Sequence, residues 1–257
     1  MPIDFHAKRN ARTYVGREAH SSWTTAMTAL VNPEGLDVVD VGCGGGIYSQ
    51  QWARLGASSV VALDWSESIL ESARDAVGDD PRISFRIGTA DATGLPDASC
   101  DLVFARALVH HLDDLAGFMR EAARILRTGG WLIVQDRTME DVAEPGSRTN
   151  PRGYFFEVHP QLLRVEQGRR PETQVVLGAM TGAGFNATDV FSLHETRRHY
   201  EEREEYLEEI RNRVGRSILH DLDEDQLAEL VDRLRQELPE TNLTETDRWT
   251  VWAGQKA

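Results

Sequence analysis

"VVDVGCGGGIYS", residues 38–49, decides how this chain of 257 residues is read. An apolar run ends near Asp40, four glycines stand at 42, 44, 45 and 46, and a helix-like segment begins at Ile47. Strand, glycine turn and helix form a setting in which a helix N-terminus receives a nucleotide-like ligand. The spacing excludes two such ligands. A dinucleotide fingerprint begun at Gly42 needs glycine at position 47, which is Ile. A phosphate loop needs Gly-Lys-Ser/Thr, which does not follow. What remains is Asp40-x-Gly42-x-Gly44-x-Gly46. Gly42 and Gly44 let backbone approach a ligand without Cβ interference, and Gly46 lets the first helical turn sit close. Asp40 suits a ligand carrying positive charge, or a loop whose N–H groups a carboxylate fixes, better than it suits pyrophosphate.

Outward from this stretch, short apolar runs alternate with longer helical patterns. Strands are expected at Asp37–Val41, Val60–Leu63, Ile83–Ile87, Leu102–Ala105 and Trp131–Gln135, with helices at Ile47–Leu55, Ser66–Val77 and Leu112–Leu126. Near-continuous apolar strands in this order argue for a parallel sheet covered on both faces. Ahead of it, Ala19, Trp23, Met27 and Leu30 fall at helical spacing before the stop signal Asn32-Pro33-Glu34-Gly35. Beyond Asp136 the segment 137–164 is broken by Pro and Gly and reads as a long functional loop. A helix near Glu172–Thr181 and strands near Ala187–Leu193 and Arg248–Ala253 follow, the two strands forming an antiparallel hairpin at one sheet edge. Between them lie charged helical residues.

Composition narrows the function. Apolar residues make up 40% of the chain, enough for a well-buried core. The net charge of −14 disfavours nucleic acid and anionic membrane, whose binding depends on Lys and Arg neutralising phosphates. Residues 201–247 hold 16 acidic against six basic residues, either a solvated helical face or a cap over a cleft. The two cysteines, Cys43 and Cys100, form no CxxC pair, so no zinc site or disulfide framework is indicated. No metal is expected. No leader-like or membrane-spanning run is present, and a cytoplasmic protein is the expectation.

Two further acidic positions matter. Asp64 ends the second strand, 24 residues after Asp40, where a carboxylate can accept both hydroxyls of a ribose. Trp65 follows, placed to flank a purine ring. Asp91, after the third strand, can accept an exocyclic amine or simply form a turn.

"VVDVGCGGGIYS", "VVALDWSESILESAR", "ISFRIGTADATGLPDASCDLVFARALVHHLDD" and "FMREAARILRTGGWLIVQD" together resemble class I S-adenosylmethionine-dependent methyltransferases, most of all the small-molecule branch with ubiquinone- and menaquinone-biosynthesis-type enzymes (methyltransferase type 11). The resemblance covers residues 36–136 well and the last strands more loosely. It implies an α/β, Rossmann-like doubly wound sheet of seven strands, mostly parallel with an antiparallel last strand, plus a helical cap. It implies S-adenosylmethionine as cofactor, with Gly42, Gly44 and Gly46 beside its methionine part and ribose, and Asp40 orienting the loop. Asp64 would bind the ribose diol, Trp65 would flank the adenine, Asp91 and the Ala92 backbone would read it, and the Arg106 carbonyl would lie near the methionine amine. The expected organisation is an N-terminal helical lid over 1–35, with Phe5, His6 and Tyr14, the cofactor-binding domain over 36–200 and 245–257, and a helical cap over 201–244.

Methyl transfer from a sulfonium is an in-line displacement in which alignment supplies much of the acceleration. A hydroxyl or amine acceptor can also need a base, for which histidine is suited. His110 and His111 follow the fourth strand, and Asp136 ends the fifth, so these three are the catalytic candidates. Arg148, Arg152, Tyr154, Phe155, Phe156 and His159 are candidates to line a pocket for a planar or carboxylated acceptor. An RNA or protein methyltransferase and a noncatalytic S-adenosylmethionine-binding module stand as alternatives. A nicotinamide oxidoreductase is disfavoured by the glycine spacing. The acceptor and the oligomeric state are not legible.

Overall fold

The computed structural model describes residues 19–257. The expected lid residues Phe5, His6 and Tyr14 lie outside them. In chain order the elements are α1 (Ser21–Leu30), β1 (Asp37–Val41), α2 (Ile47–Arg54), β2 (Ser59–Asp64), α3 (Glu67–Val77), β3 (Ile83–Ile87), β4 (Cys100–Arg106), a 3-10 turn (Val109–His111), α4 (Leu115–Ile125) and β5 (Leu126–Asp136). Then come α5 (Met139–Val142), α6 (Gly153–Val158), α7 (Gln161–Gln167), α8 (Thr173–Gly182), β6 (Phe185–Glu202), α9 (Arg203–Arg211), a second 3-10 turn (Ser217–Asp221), α10 (Glu224–Glu237) and β7 (Thr241–Lys256).

The strands form one seven-stranded sheet in the order β3-β2-β1-β4-β5-β7-β6. Strands β1 to β5 pair in parallel, and β7 runs antiparallel to β5, with Trp131 opposite Gln255 and Asp136 opposite Thr250. This is the α/β Rossmann-like arrangement expected, and the antiparallel strand lies between β5 and β6. β1 is flanked by β2 on one side and β4 on the other, so the chain's direction of travel across the sheet reverses there. The crevice outside the strand ends at such a point is where open α/β sheets bind ligands.

Two compact units make up the described chain. The larger contains the chain up to Asp136 together with Pro171–Leu193 and Thr250–Ala257. Its core is Val39, Val41, Val103, Ala105, Leu132 and Val134 from the strands, met by Phe118, Ala122 and Ile125 of α4 and by Val176 and Met180 of α8. On α1, Trp23 and Met27 are fully buried. Trp23 packs edge-on against Trp52 of α2 and Phe104 of β4, with ring centroids 5.0 and 5.5 Å away. Its indole N–H donates to Gln135 Oε1 at 3.0 Å, so α1 is pinned to the sheet by a satisfied aromatic anchor.

The smaller unit is built from Arg137–Arg170 and His194–Trp249. The expected cap, 201–244, is only part of it. Tyr154, Phe155 and Leu162 of the segment after Asp136 share one apolar cluster with Tyr206, Leu207, Ile210, Leu230 and Leu234 of α9 and α10. Burial of those side chains, rather than the charge boundary at residue 201, decides the grouping. The same burial explains why 137–164 is not a plain loop. Its Pro and Gly residues delimit the short helices α5 and α6 and the start of α7 without abolishing them. Among the described residues no helix is long and apolar enough to cross a membrane.

Candidate functional site

The site is built at the carboxyl edge of the parallel strands. Gly42, Gly44 and Gly46 all adopt positive φ, +73°, +53° and +76°, the left-handed region that glycine enters without strain. Gly42 and Cys43 both donate their N–H to the Leu63 carbonyl, at 2.8 and 3.0 Å, which ties the turn to the end of β2. Gly46 closes the turn as the N-terminal cap of α2, and a Cβ there would stand 2.7 Å from Val77 of α3. A Cβ on Gly44 would meet nothing within 4 Å. The loop is thus packed tightly behind and open above Gly44, the shape of a cradle for a ligand.

Two carboxylates hold the loop. Asp64, at the end of β2, accepts the Gly44 N–H at 3.1 Å and the Ser66 N–H at 3.0 Å. Asp40 is buried and accepts the Ser49 hydroxyl from the first turn of α2 at 2.5 Å. Burial, with the Asp64 charge adding to it, pushes the Asp40 carboxyl up to about 7 against the pull of Ser49 and Arg106. The Arg106 guanidinium lies 4.5 Å over the Tyr48 ring. Burial, reinforced by the charges of Asp40 and Asp64, pushes the Cys43 thiol well up, so it stays protonated and inert within the loop.

Beside Asp64, Trp65 is 51% exposed, an unusual position for a tryptophan and one suited to covering a planar ligand. Asp91 and Ala92 are exposed on a tight turn closed by the Ala92 N–H to the Thr89 carbonyl at 3.2 Å. That loop is anchored by a residue the sequence reading missed. Glu121 of α4 accepts both the backbone N–H and the hydroxyl of Thr93, at 2.8 and 2.5 Å. Hydrogen bonding from Arg124 and Thr93 outweighs desolvation and draws the Glu121 carboxyl down to about 2. The signal was present: Glu121 sits on the apolar stripe between Phe118 and Ile125, where a charge must have a partner. Ser49 and Gln135 carry no comparable signal.

After β4, His110 and Asp136 meet. His110 Nδ1 lies 2.9 and 3.0 Å from the two Asp136 oxygens, and the His110 backbone N–H donates to Asp136 Oδ2 at 3.3 Å. The His110 side chain is 7% exposed and that of Asp136 fully buried. A carboxylate taking Nδ1–H fixes the tautomer in which Nε2 is the basic nitrogen. His111 is exposed, with its ring centroid 3.9 Å from that of His110. Register explains the meeting: β4 and β5 pair with Arg106 opposite Gln135, so the residues that follow each leave the sheet at one level.

The expected acceptor-lining residues belong to the smaller unit. Arg148 is exposed. Tyr154, Phe155 and Phe156 are packed in its apolar cluster, and His159 donates from Nε2 to the Gln226 carbonyl at 2.8 Å. Arg152 bonds Glu166 at 3.2 Å.

The edge of the larger unit therefore presents an open glycine cradle, a ribose-competent carboxylate, a half-exposed indole and a buried His–Asp pair. The site fits a nucleoside with a cationic centre better than a pyrophosphate, because an ionised Asp40 at the start of the glycine turn would repel phosphate. Residues 39–134 match the family model described as "Methyltransferase domain". The chain is 34% identical over 164 residues to a ubiquinone biosynthesis O-methyltransferase of Sinorhizobium medicae, an alignment covering 60% of this chain and 65% of that one. It thus spans just under two thirds of that relative. An S-adenosylmethionine-dependent methyltransferase of Mesorhizobium loti has a similar fold, with a TM-score of 0.56 at 20% identity over 92% of this chain and 98% of that one. The (4+2)-cyclase SpnF matches at a TM-score of 0.58 and 18% identity, over 92% and 81% of the two chains. That a cyclase shares the fold means that the architecture alone does not fix the reaction.

Proposed function

We propose that this chain, whose residues 39–134 match the methyltransferase-domain family model, transfers a methyl group from S-adenosylmethionine to an oxygen of a small-molecule acceptor. The observation that carries the reading is the buried His110–Asp136 pair standing at the same sheet edge as the glycine cradle and Asp64. The choice of oxygen is supported by the relative named an O-methyltransferase.

When bound, the cofactor supplies an electrophilic methyl group on a sulfonium. Gly42, Gly44 and Gly46 would hold its methionine part and ribose, Asp40 would keep the loop oriented, and the Arg106 carbonyl would receive its amine. Asp64 would take the ribose diol, with Trp65, Asp91 and Ala92 around the adenine. His110 would remove the acceptor's hydroxyl proton at Nε2, while Asp136 holds the tautomer and stabilises the imidazolium that forms. His111 would shape the site against the His110 ring. Alignment of the three reacting centres supplies the rest.

A small metabolite rather than nucleic acid fits the net charge of −14. Two free, buried thiols fit a cytoplasmic setting. Calorimetry tests the cofactor: S-adenosylmethionine and S-adenosylhomocysteine should bind and NAD should not, and the Asp64→Ala variant should bind at least about tenfold more weakly. A screen of phenolic and enolic acceptors, read by S-adenosylhomocysteine release, tests the reaction. Intact cofactor binding with no release from any acceptor would instead favour a binding module.

A further inference from the structure

We propose that Arg152 anchors a site in the smaller unit for an anionic group, a carboxylate or phosphate, of a small-molecule ligand. The geometry begins at Glu166, whose side chain is fully buried. Arg170 takes its Oε2 at 2.5 Å, and Arg169 takes its Oε1 at 2.6 Å. Arg152 reaches the same Oε1 only at 3.2 Å, an oxygen that Arg169 already holds closely. Its Nε is buried and has no hydrogen-bond partner among the described residues. The guanidinium carbon lies 5.4 Å from the centroid of the Phe156 ring.

A side chain 13% exposed with an unanswered donor is costly. Native structures place an ion, a ligand or water opposite such groups. The guanidinium fork matches the two oxygens of a carboxylate or phosphate. Burial is the main force lowering the pKa of Arg152 from the ordinary arginine range to about 9, and the charges of Arg137 and Arg170 add to it, while Glu166 and Asp247 only partly offset them. The Glu166 carboxylate therefore does not compensate Arg152 fully, and an anion would. The concentration of arginine also runs against the composition of a unit whose residues 201–247 are strongly acidic. Naming that anion as part of the methyl acceptor rests on the methyl-transfer reading; the binding site does not.

The test uses the full chain and its R152M and R152K variants. Benzoate and inorganic phosphate are titrated calorimetrically, ligand-free melting is recorded, and S-adenosylmethionine binding is measured in parallel. Wild type should bind at least one anion, R152M about tenfold or more weakly, and R152K between the two. Binding of benzoate alone identifies a carboxylate ligand, and of phosphate alone a phosphorylated one. Ligand-free R152M should melt no lower than wild type, because Glu166 keeps Arg169 and Arg170 and the repulsion from Arg137 is lifted. Wild type binding neither anion, R152M binding them as wild type does, or a lower melting point for R152M with unchanged anion affinity each overturns the site. If R152M does not fold, R152K decides: unchanged anion affinity overturns the proposal, and a fall with unchanged melting supports it. Loss of S-adenosylmethionine binding in wild type would remove the methyl-transfer reading and leave the anion result standing.

Discussion

At the scale of the residue, Asp40 sets a pH dependence whose sign can be worked out. Its carboxyl stands at about 7 in the folded protein against an ordinary 3.8. Between those values the folded chain holds a proton that the unfolded chain has released. The stability this supplies is complete at the acid end of the window and lost as pH rises to about 7. A cationic ligand favours the ionised form and works the other way. Affinity for S-adenosylmethionine should tighten from pH 6 to 8, with a fractional proton released on binding, and Asp40→Asn should flatten the dependence. Calorimetry in two buffers of different ionisation enthalpy measures both. His110→Ala and Asp136→Asn should each lower turnover by about 10²-fold or more while cofactor affinity holds, because they touch the proton transfer and not the cradle. Turnover unchanged in both variants would remove the base. The glycine spacing and the acidic strand ends were legible as sequence because each must stand at a fixed distance from a turn. Ser49 was not: that it meets Asp40 depends on how α2 sets down on β1.

At the scale of the element, strands β1 and β3 have the bounds read from the sequence, and β2, β4 and β5 extend beyond theirs, because buried parallel strands announce themselves as apolar runs. β6 and β7 were read as short and are 18 and 16 residues long. Their outer halves carry alternating charges such as His194, Glu195, Arg197 and Arg198, which composition assigns to helix or loop. In the structure Tyr200 and Arg216 bond the buried Glu245 at 3.0 and 2.7 Å and Arg197 lies 3.4 Å from it, so this part of the sheet is held by paired charges within the smaller unit, while His194 and Arg198 stay exposed. The loop after β3 depends on α4 in the same hidden way. Glu121→Ala would leave the buried Thr93 N–H without an acceptor, at a cost of about 2 kcal/mol. Amide exchange at Thr93 should rise and affinity for the adenosine part of the cofactor should fall several-fold. Unchanged exchange would mean the loop is fixed by its own turn.

At the scale of the whole molecule, the charge is as unevenly written as the fold. The chain carries −14, most of it in residues 201–247. Self-repulsion of this size should be relieved by screening, so the melting temperature should rise between about 10 mM and 150 mM salt as the Debye length falls from about 30 to 8 Å. A fall over that range would show that surface ion pairs outweigh repulsion. The division into two units was only partly legible. A boundary drawn at residue 201 follows composition, whereas the apolar cluster recruits Tyr154, Phe155 and Leu162 from the other side of β6. Clusters form by contact in space, and a one-dimensional reading sees only runs.

The place of β7 has a consequence for synthesis. It is the last strand in the chain, yet it lies between β5 and β6. Until Thr250–Gln255 are made, β5 has only β4 beside it and its other edge is bare. Trp252, fully buried in the finished core, has not yet been made. A nascent chain of this protein must therefore carry an unpaired, apolar strand edge from the completion of β5 at Asp136 until Thr250 is reached, the kind of edge that recruits neighbouring chains. Docking of Thr250–Gln255 against β5 is the event that seals it.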